Sequence, residues 1–104
     1  MQARMATYRF SGDSIELARR AEQGILPLLR AQPGFQAYSV AVDGDEILSL
    51  SVWDTRAEAE AGSAVAADWV RDNMADEIEL LGIRYPEVMF STTLGISTLS
   101  GATA

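Results

Sequence analysis

The chain has no histidine, no cysteine and no lysine among its 104 residues. Without histidine there is no Ser-His-Asp triad, no imidazole acid or base and no histidine-ligated haem. Without histidine or cysteine a zinc site would have to be built from carboxylates alone, and neither disulfides nor thiolate chemistry is available. The absence of lysine removes Schiff-base catalysis. Apolar runs are short: none approaches the ~20 residues of a membrane span, and no basic-then-apolar signal peptide opens the sequence. The composition therefore predicts a soluble, cytoplasmic protein with no membrane partner. Positive charge is scarce too. Eight arginines stand against 15 acidic residues, for a net charge of −7, which opposes a nucleic-acid partner because no basic stripe can neutralise phosphates.

What is present suffices for one folded domain spanning 1–104. The hydrophobic fraction is 48%, which excludes global disorder. The centre of the chain, Gln32 to Asp54, reads as a β-hairpin. Pro33-Gly34 breaks the preceding segment, and two alternating runs flank Asp43-Gly44, a pair suited to a tight type I′ turn. With those two residues as the loop, Val42 pairs with Asp45, Val40 with Ile47, Tyr38 with Ser49 and Phe35 with Val52. One face then carries Phe35, Ala37, Leu48, Leu50 and Val52. The other carries Tyr38, Val40, Val42, Ile47 and Trp53, with Ser49 and Ser51 between them.

Upstream, Arg4 to Phe10 alternates as a strand, with Ala6, Tyr8 and Phe10 on one side. Asp13 to Glu16 has capping-box spacing and opens a helix whose stripe is Ala18, Ala21, Ile25, Leu28 and Leu29, with a kink or a loosened last turn expected at Pro27. Thr55 to Glu58 is a second capping box. The helix it opens runs to about Met74, stacking Ala61, Val65 and Trp69 beside Ala66 and Val70. Gly82 and Pro86 bracket a connection, Glu87 to Ile96 reads as the last strand, and 97–104 as a frayed tail.

The order is β-α-β-β-α-β, which predicts an α+β, ferredoxin-like fold: a four-stranded antiparallel sheet with two helices on one face. The Tyr38, Val40, Val42, Ile47 and Trp53 face is left uncovered in this reading. A second copy packed on it, with Trp53 as a wedge, would give a homodimer.

Pro33-Gly34-Phe35 opening the second strand, the run Ser51 to Arg56 leading into an Ala/Glu-rich helix, and Trp69 on that helix together resemble the dimeric α+β barrel superfamily. They are most similar to its antibiotic-biosynthesis-monooxygenase branch, over roughly Arg4 to Ile96. The resemblance implies a cofactor-independent monooxygenase, needing neither metal nor flavin, that oxidises a small phenol- or quinol-like aromatic substrate with O₂. It also implies a pocket between helices and sheet using Trp, Asn, Tyr and Arg. Trp69 matches the family's helix tryptophan; where the family has an asparagine four residues earlier, this chain has Val65, and where it often has a histidine, Gly62. Asn73, one turn beyond Trp69, offers a replacement amide. Trp69 and Asn73 are thus the candidate catalytic residues, and Tyr38, Tyr85, Arg84 and Val65 the candidate substrate contacts. The alternative is a ligand-binding or assembly module without chemistry, since one fold serves many roles.

Overall fold

The computed structural model describes residues 1–99. Strands β1 (Gln2–Phe10), β2 (Phe35–Asp43), β3 (Glu46–Trp53) and β4 (Ile78–Arg84) form one antiparallel sheet in the order β2-β3-β1-β4. Helices α1 (Ser14–Arg30) and α2 (Arg56–Asn73) pack on one face of it. This is the ferredoxin-like arrangement that the element order predicts. No helix among the described residues is long and apolar enough to cross a membrane.

Both helices start where their caps place them. The Asp13 carboxylate accepts from the backbone N–H of Ile15 and Glu16, and the Thr55 hydroxyl oxygen accepts from the N–H of Glu58; each cap contributes about 1 kcal/mol. The first helix continues through Pro27 to Arg30. Its buried stripe is Leu17, Ala21, Ile25 and Leu29, a strict four-residue spacing that leaves Leu28 exposed and Ala18 at the margin. The second helix buries Ala59, Gly62, Ser63 and Ala66 rather than Ala61. Small side chains there let the helix lie close on the sheet. A Cβ at Gly62 would overlap the Trp53 ring, and one at Gly24 the Trp69 ring, so these glycines set how near α2 comes to the sheet and to α1.

The hairpin forms, but its pairing differs from the expected one. Val42 faces Ile47, Val40 faces Ser49 and Tyr38 faces Ser51, and the turn sits at Gly44-Asp45, with Gly44 at φ +61. The slide is two residues, so most of each face set survives. Phe35 is the exception: an irregularity at Gln36 pairs it with Trp53, and its ring meets the Trp53 indole edge-on at 5.5 Å between centroids.

The covered face is the opposite of the expected one. Trp53 is fully buried at 0% exposure, and Tyr38 packs with it against the helix-side core. Trp53 is therefore not a dimer wedge. Its indole N–H donates to the Ser51 hydroxyl at 2.9 Å, so both polar groups are satisfied under α2. Two nearly equally apolar faces left the period-two pattern unable to choose between them. The open face instead carries Met5, Leu48 and Leu50, the last two each 36% exposed.

The last strand is also displaced. β4 follows α2 after a turn in which Glu77 and Ile78 N–H groups donate to the Met74 carbonyl. It pairs with β1 through Tyr8–Leu80 and Thr7–Gly82, leaving Leu81 as an extra residue. That bulge breaks the alternation, and neighbouring acidic residues give the segment the look of a helix end. Regular strand ends at Arg84, yet the Pro86 carbonyl still accepts from the Ala3 N–H, and Glu87 forms an isolated bridge with Gln2. The alternating stretch beyond it forms only a small hairpin of β5 (Phe90–Ser91) and β6 (Ile96–Ser97). Ser97 is thus paired with Phe90 rather than frayed, and residues 100–104 of the expected tail lie outside the described residues.

Candidate functional site

Even-numbered residues of β1 point toward the helices, so Arg4, Ala6 and Tyr8 are all buried there. The register aligns Tyr38, Ser51 and Arg4 in one row across β2, β3 and β1, with Val40, Ser49 and Ala6 in the next. Over these rows lie Leu17, Ala21, Ile25 and Leu29 from α1, and Ala66 and Val70 from α2 with Met74 at its C-terminal cap. Sheet and helices together bound a cavity whose polar lining comes from Arg4, Tyr8, Tyr38 and Ser49, with Ser14 also on its wall. The enclosed void is about 40 Å³, within a hollow of about 560 Å³ that includes its open mouth. The smaller figure decides what fits without movement: water does, whereas a benzene-sized ligand needs about 150 Å³. A surface groove of about 170 Å³ between α1 and β2 shares Ala18, Tyr38 and Val40 with the cavity and is completed by Glu22 and Leu26. Tyr38 and Val40 are the partition between groove and cavity.

The electrostatics of this cavity turn on Arg4. It is 3% exposed, and its Nε donates to the Ser63 hydroxyl on α2 at 3.0 Å. No carboxylate among the described residues forms an ion pair with it. A buried charge without a counter-ion is expensive, by several kcal/mol in real proteins on an order-of-magnitude basis. Burial pushes the Tyr38 hydroxyl above its ordinary pKa; nearby Tyr8 adds to the rise, while Ser49 and the Arg4 guanidinium work against it. Tyr38 is therefore a neutral phenol at pH 7, able to donate or accept a hydrogen bond but not to act as a base.

Of the residues singled out from the sequence, Tyr38 alone lines this cavity. Trp69 lies between the helices, its ring against Gly24. Asn73 is exposed; its side-chain amide donates to the Trp69 carbonyl at 2.9 Å, and its own carbonyl accepts from Arg20. Val65 packs at the edge of the core. Tyr85 holds the Arg56 guanidinium over its ring at 4.7 Å. Arg84 lies opposite Met5 on the open side of the sheet. Arg4, Tyr8 and Ser49 went unselected. Arg4 shares parity with Ala6 and Tyr8, and a cation on the apolar side of an alternating strand was the available signal.

No family model matches the chain, and no curated protein matches it. Solved structures do share its fold. SnoaB, a cofactor-independent oxygenase from Streptomyces nogalater, solved as a mutant, superposes with a TM-score of 0.66 at 11% identity, over 88% of this chain and 95% of that one. An antibiotic biosynthesis monooxygenase gives 0.63 at 16% identity, over 85% and 98%. A protein of unknown function from Nitrosomonas europaea gives 0.70 at 20% identity, over 86% and 90%. The chain has the fold of the antibiotic biosynthesis monooxygenase structures.

Proposed function

We propose that this protein is a cofactor-independent monooxygenase for a small phenol- or quinol-like aromatic, acting in the cavity beneath its helices. The observation that carries the reading is a buried, unpaired guanidinium at Arg4 in an otherwise apolar cavity bordered by two tyrosines. The fold shared with a cofactor-independent oxygenase supports it. A phenol converted to a quinone supplies all the electrons needed: one oxygen atom enters the ring, and the other leaves as water together with one ring hydrogen and the phenolic hydrogen. Such a substrate asks the protein for position and charge stabilisation more than for a strong base, and the chain offers no histidine or lysine base. Arg4 stabilises the ionised oxygen, and Tyr8 and Tyr38 orient it through their hydroxyls. Binding of a ring includes a swing of Tyr38 that joins the groove to the void. Trp69 and Asn73 act in this reading by holding α2 against α1, shaping the roof of the cavity rather than touching substrate.

The working form is a homodimer through the open sheet face. Four strands at about 4.8 Å spacing and about eight residues at 3.3 Å rise give a face of roughly 500 Å², so two copies bury about 1,000 Å², the lower bound of a stable interface. Met5, Leu48 and Leu50 supply its apolar centre.

A second reading, a binding module without chemistry, draws on the water-sized enclosed void. Oxygen uptake with anthrone- and hydroquinone-type compounds, without flavin and with a metal chelator, separates the two. Consumption above the uncatalysed rate is expected; none with any member of the panel overturns the oxygenase reading.

A further inference from the structure

We propose that the aromatic ligand carries an unbranched aliphatic side chain, which runs along the floor of the cavity to an open end at Val42. This rests on the location proposed above for the site and deepens it by naming the substituent on the ring.

The sheet presents three successive rows to the helices, about 6.6 Å apart at two residues of strand rise. The first is Tyr38, Ser51 and Arg4; the second is Val40, Ser49 and Ala6; the third is Val42, Ile47 and Tyr8. The middle row is shallow at Ala6 and Ser49, and α1 and α2 add methyl groups to the lining at Ala21 and Ala66. Past it the walls are Leu17, Val42, Ile47, Met74 and Ile78, with Ser14 the one hydroxyl at that end apart from Tyr8. The Tyr8 hydroxyl lies close enough to Tyr38 to help raise its pKa, so it belongs with the polar end. Val42 lines the cavity while 43% exposed, and the hollow therefore reaches solvent there.

Width and polarity both point to a chain. The enclosed void of about 40 Å³ is too narrow for a ring, but a methylene group is water-sized, at about 30 Å³. The roomier groove of about 170 Å³ beside Tyr38 and Val40 takes the ring. A polar substituent running toward Val42 would lose water and find almost no partner on aliphatic walls. Length follows from the rows. A ring seated at the first row spans to the second, which leaves about 6.6 Å before the third. An extended chain advances about 1.3 Å per methylene from bonds of about 1.5 Å, so about five carbons reach the open end.

The test is calorimetric titration of the wild-type protein with 4-methyl-, 4-propyl-, 4-pentyl- and 4-heptylphenol. Up to pentyl, each added methylene is expected to tighten binding about three- to fourfold, and heptyl to improve on pentyl by less than about twofold in all. Val42→Asp sets a carboxylate beside the chain end. It should weaken 4-pentylphenol at least about fivefold and leave 4-methylphenol within about twofold. No binding, affinity independent of chain length, or an unbroken rise through heptyl, as in non-specific partitioning, overturns the proposal. Equal weakening of the methyl and pentyl compounds by Val42→Asp does so too, and the wild-type series decides even if that variant fails to fold. Oxygen uptake from hydroquinone with a flat chain series would remove this inference and keep the oxygenase reading. A length-dependent series that stops at pentyl, without uptake, would do the reverse.

Discussion

Trp53 and Gly62 form a lock between sheet and second helix that can be tested by a double-mutant cycle. Trp53→Phe removes roughly 40 Å³ of ring, which at about 24 cal/mol per Å³ costs about 1 kcal/mol as a cavity. Lost apolar burial adds about 1 kcal/mol, and the Ser51 hydroxyl, stripped of its 2.9 Å indole donor, about 1 more. The single change should therefore destabilise by about 3 kcal/mol. Gly62→Ala drives a methyl group into the indole at Cζ2 and Cη2; overpacking of this kind costs about 1–3 kcal/mol, partly offset by about 1 kcal/mol of helix propensity. A phenyl ring does not reach those two positions, so in the double variant the alanine methyl fills the vacated space. The double variant should be more stable than the sum of the singles by about 1–2 kcal/mol. Urea denaturation at unchanged m-value measures all four corners. Additivity within about 0.5 kcal/mol would refute the claim that Gly62 is small because Trp53 lies against it.

Leu50→Asp places a carboxylate at the centre of the open face and should convert a dimer to a folded monomer by light scattering. A wild-type protein already monomeric at micromolar concentration would refute the interface instead. Tyr38 carries a folded-state pKa raised by burial, so its contribution to stability is present below the unfolded value of about 10 and is lost as pH rises through the folded value. Tyr38→Phe should flatten that alkaline loss of stability in thermal scans. Identical alkaline slopes in the two proteins would mean that the hydroxyl is not held away from water.

Element order, caps and the βαββαβ topology were legible because they rest on local signals: capping residues, Gly and Pro breaks, and period. Asp13 and Thr55 cap as their spacing predicts. The choice of sheet face was not legible, since Tyr38–Val40–Val42 and Leu48–Leu50–Val52 are both apolar, and nothing in a period of two says which one the helices cover. β4 was hidden by a bulge at Leu81 and by acidic neighbours. Trp69 drew attention through resemblance, but its ring meets Gly24 of α1, a contact between segments 45 positions apart in sequence. Arg4 lay in plain view on the apolar side of β1, and its weight emerged only when burial left it without a carboxylate.

Oxygen consumption by the wild-type protein and its Arg4→Gln and Trp69→Phe variants, run side by side with a hydroquinone- or anthrone-type substrate, tests the central claim most directly. Uptake is expected with wild type, a loss of at least about tenfold in kcat/KM with Arg4→Gln, equivalent to about 1.4 kcal/mol, and near-wild-type uptake with Trp69→Phe. Full activity in folded Arg4→Gln, with activity lost in folded Trp69→Phe, would contradict a site built on Arg4 and return it to the space between the helices.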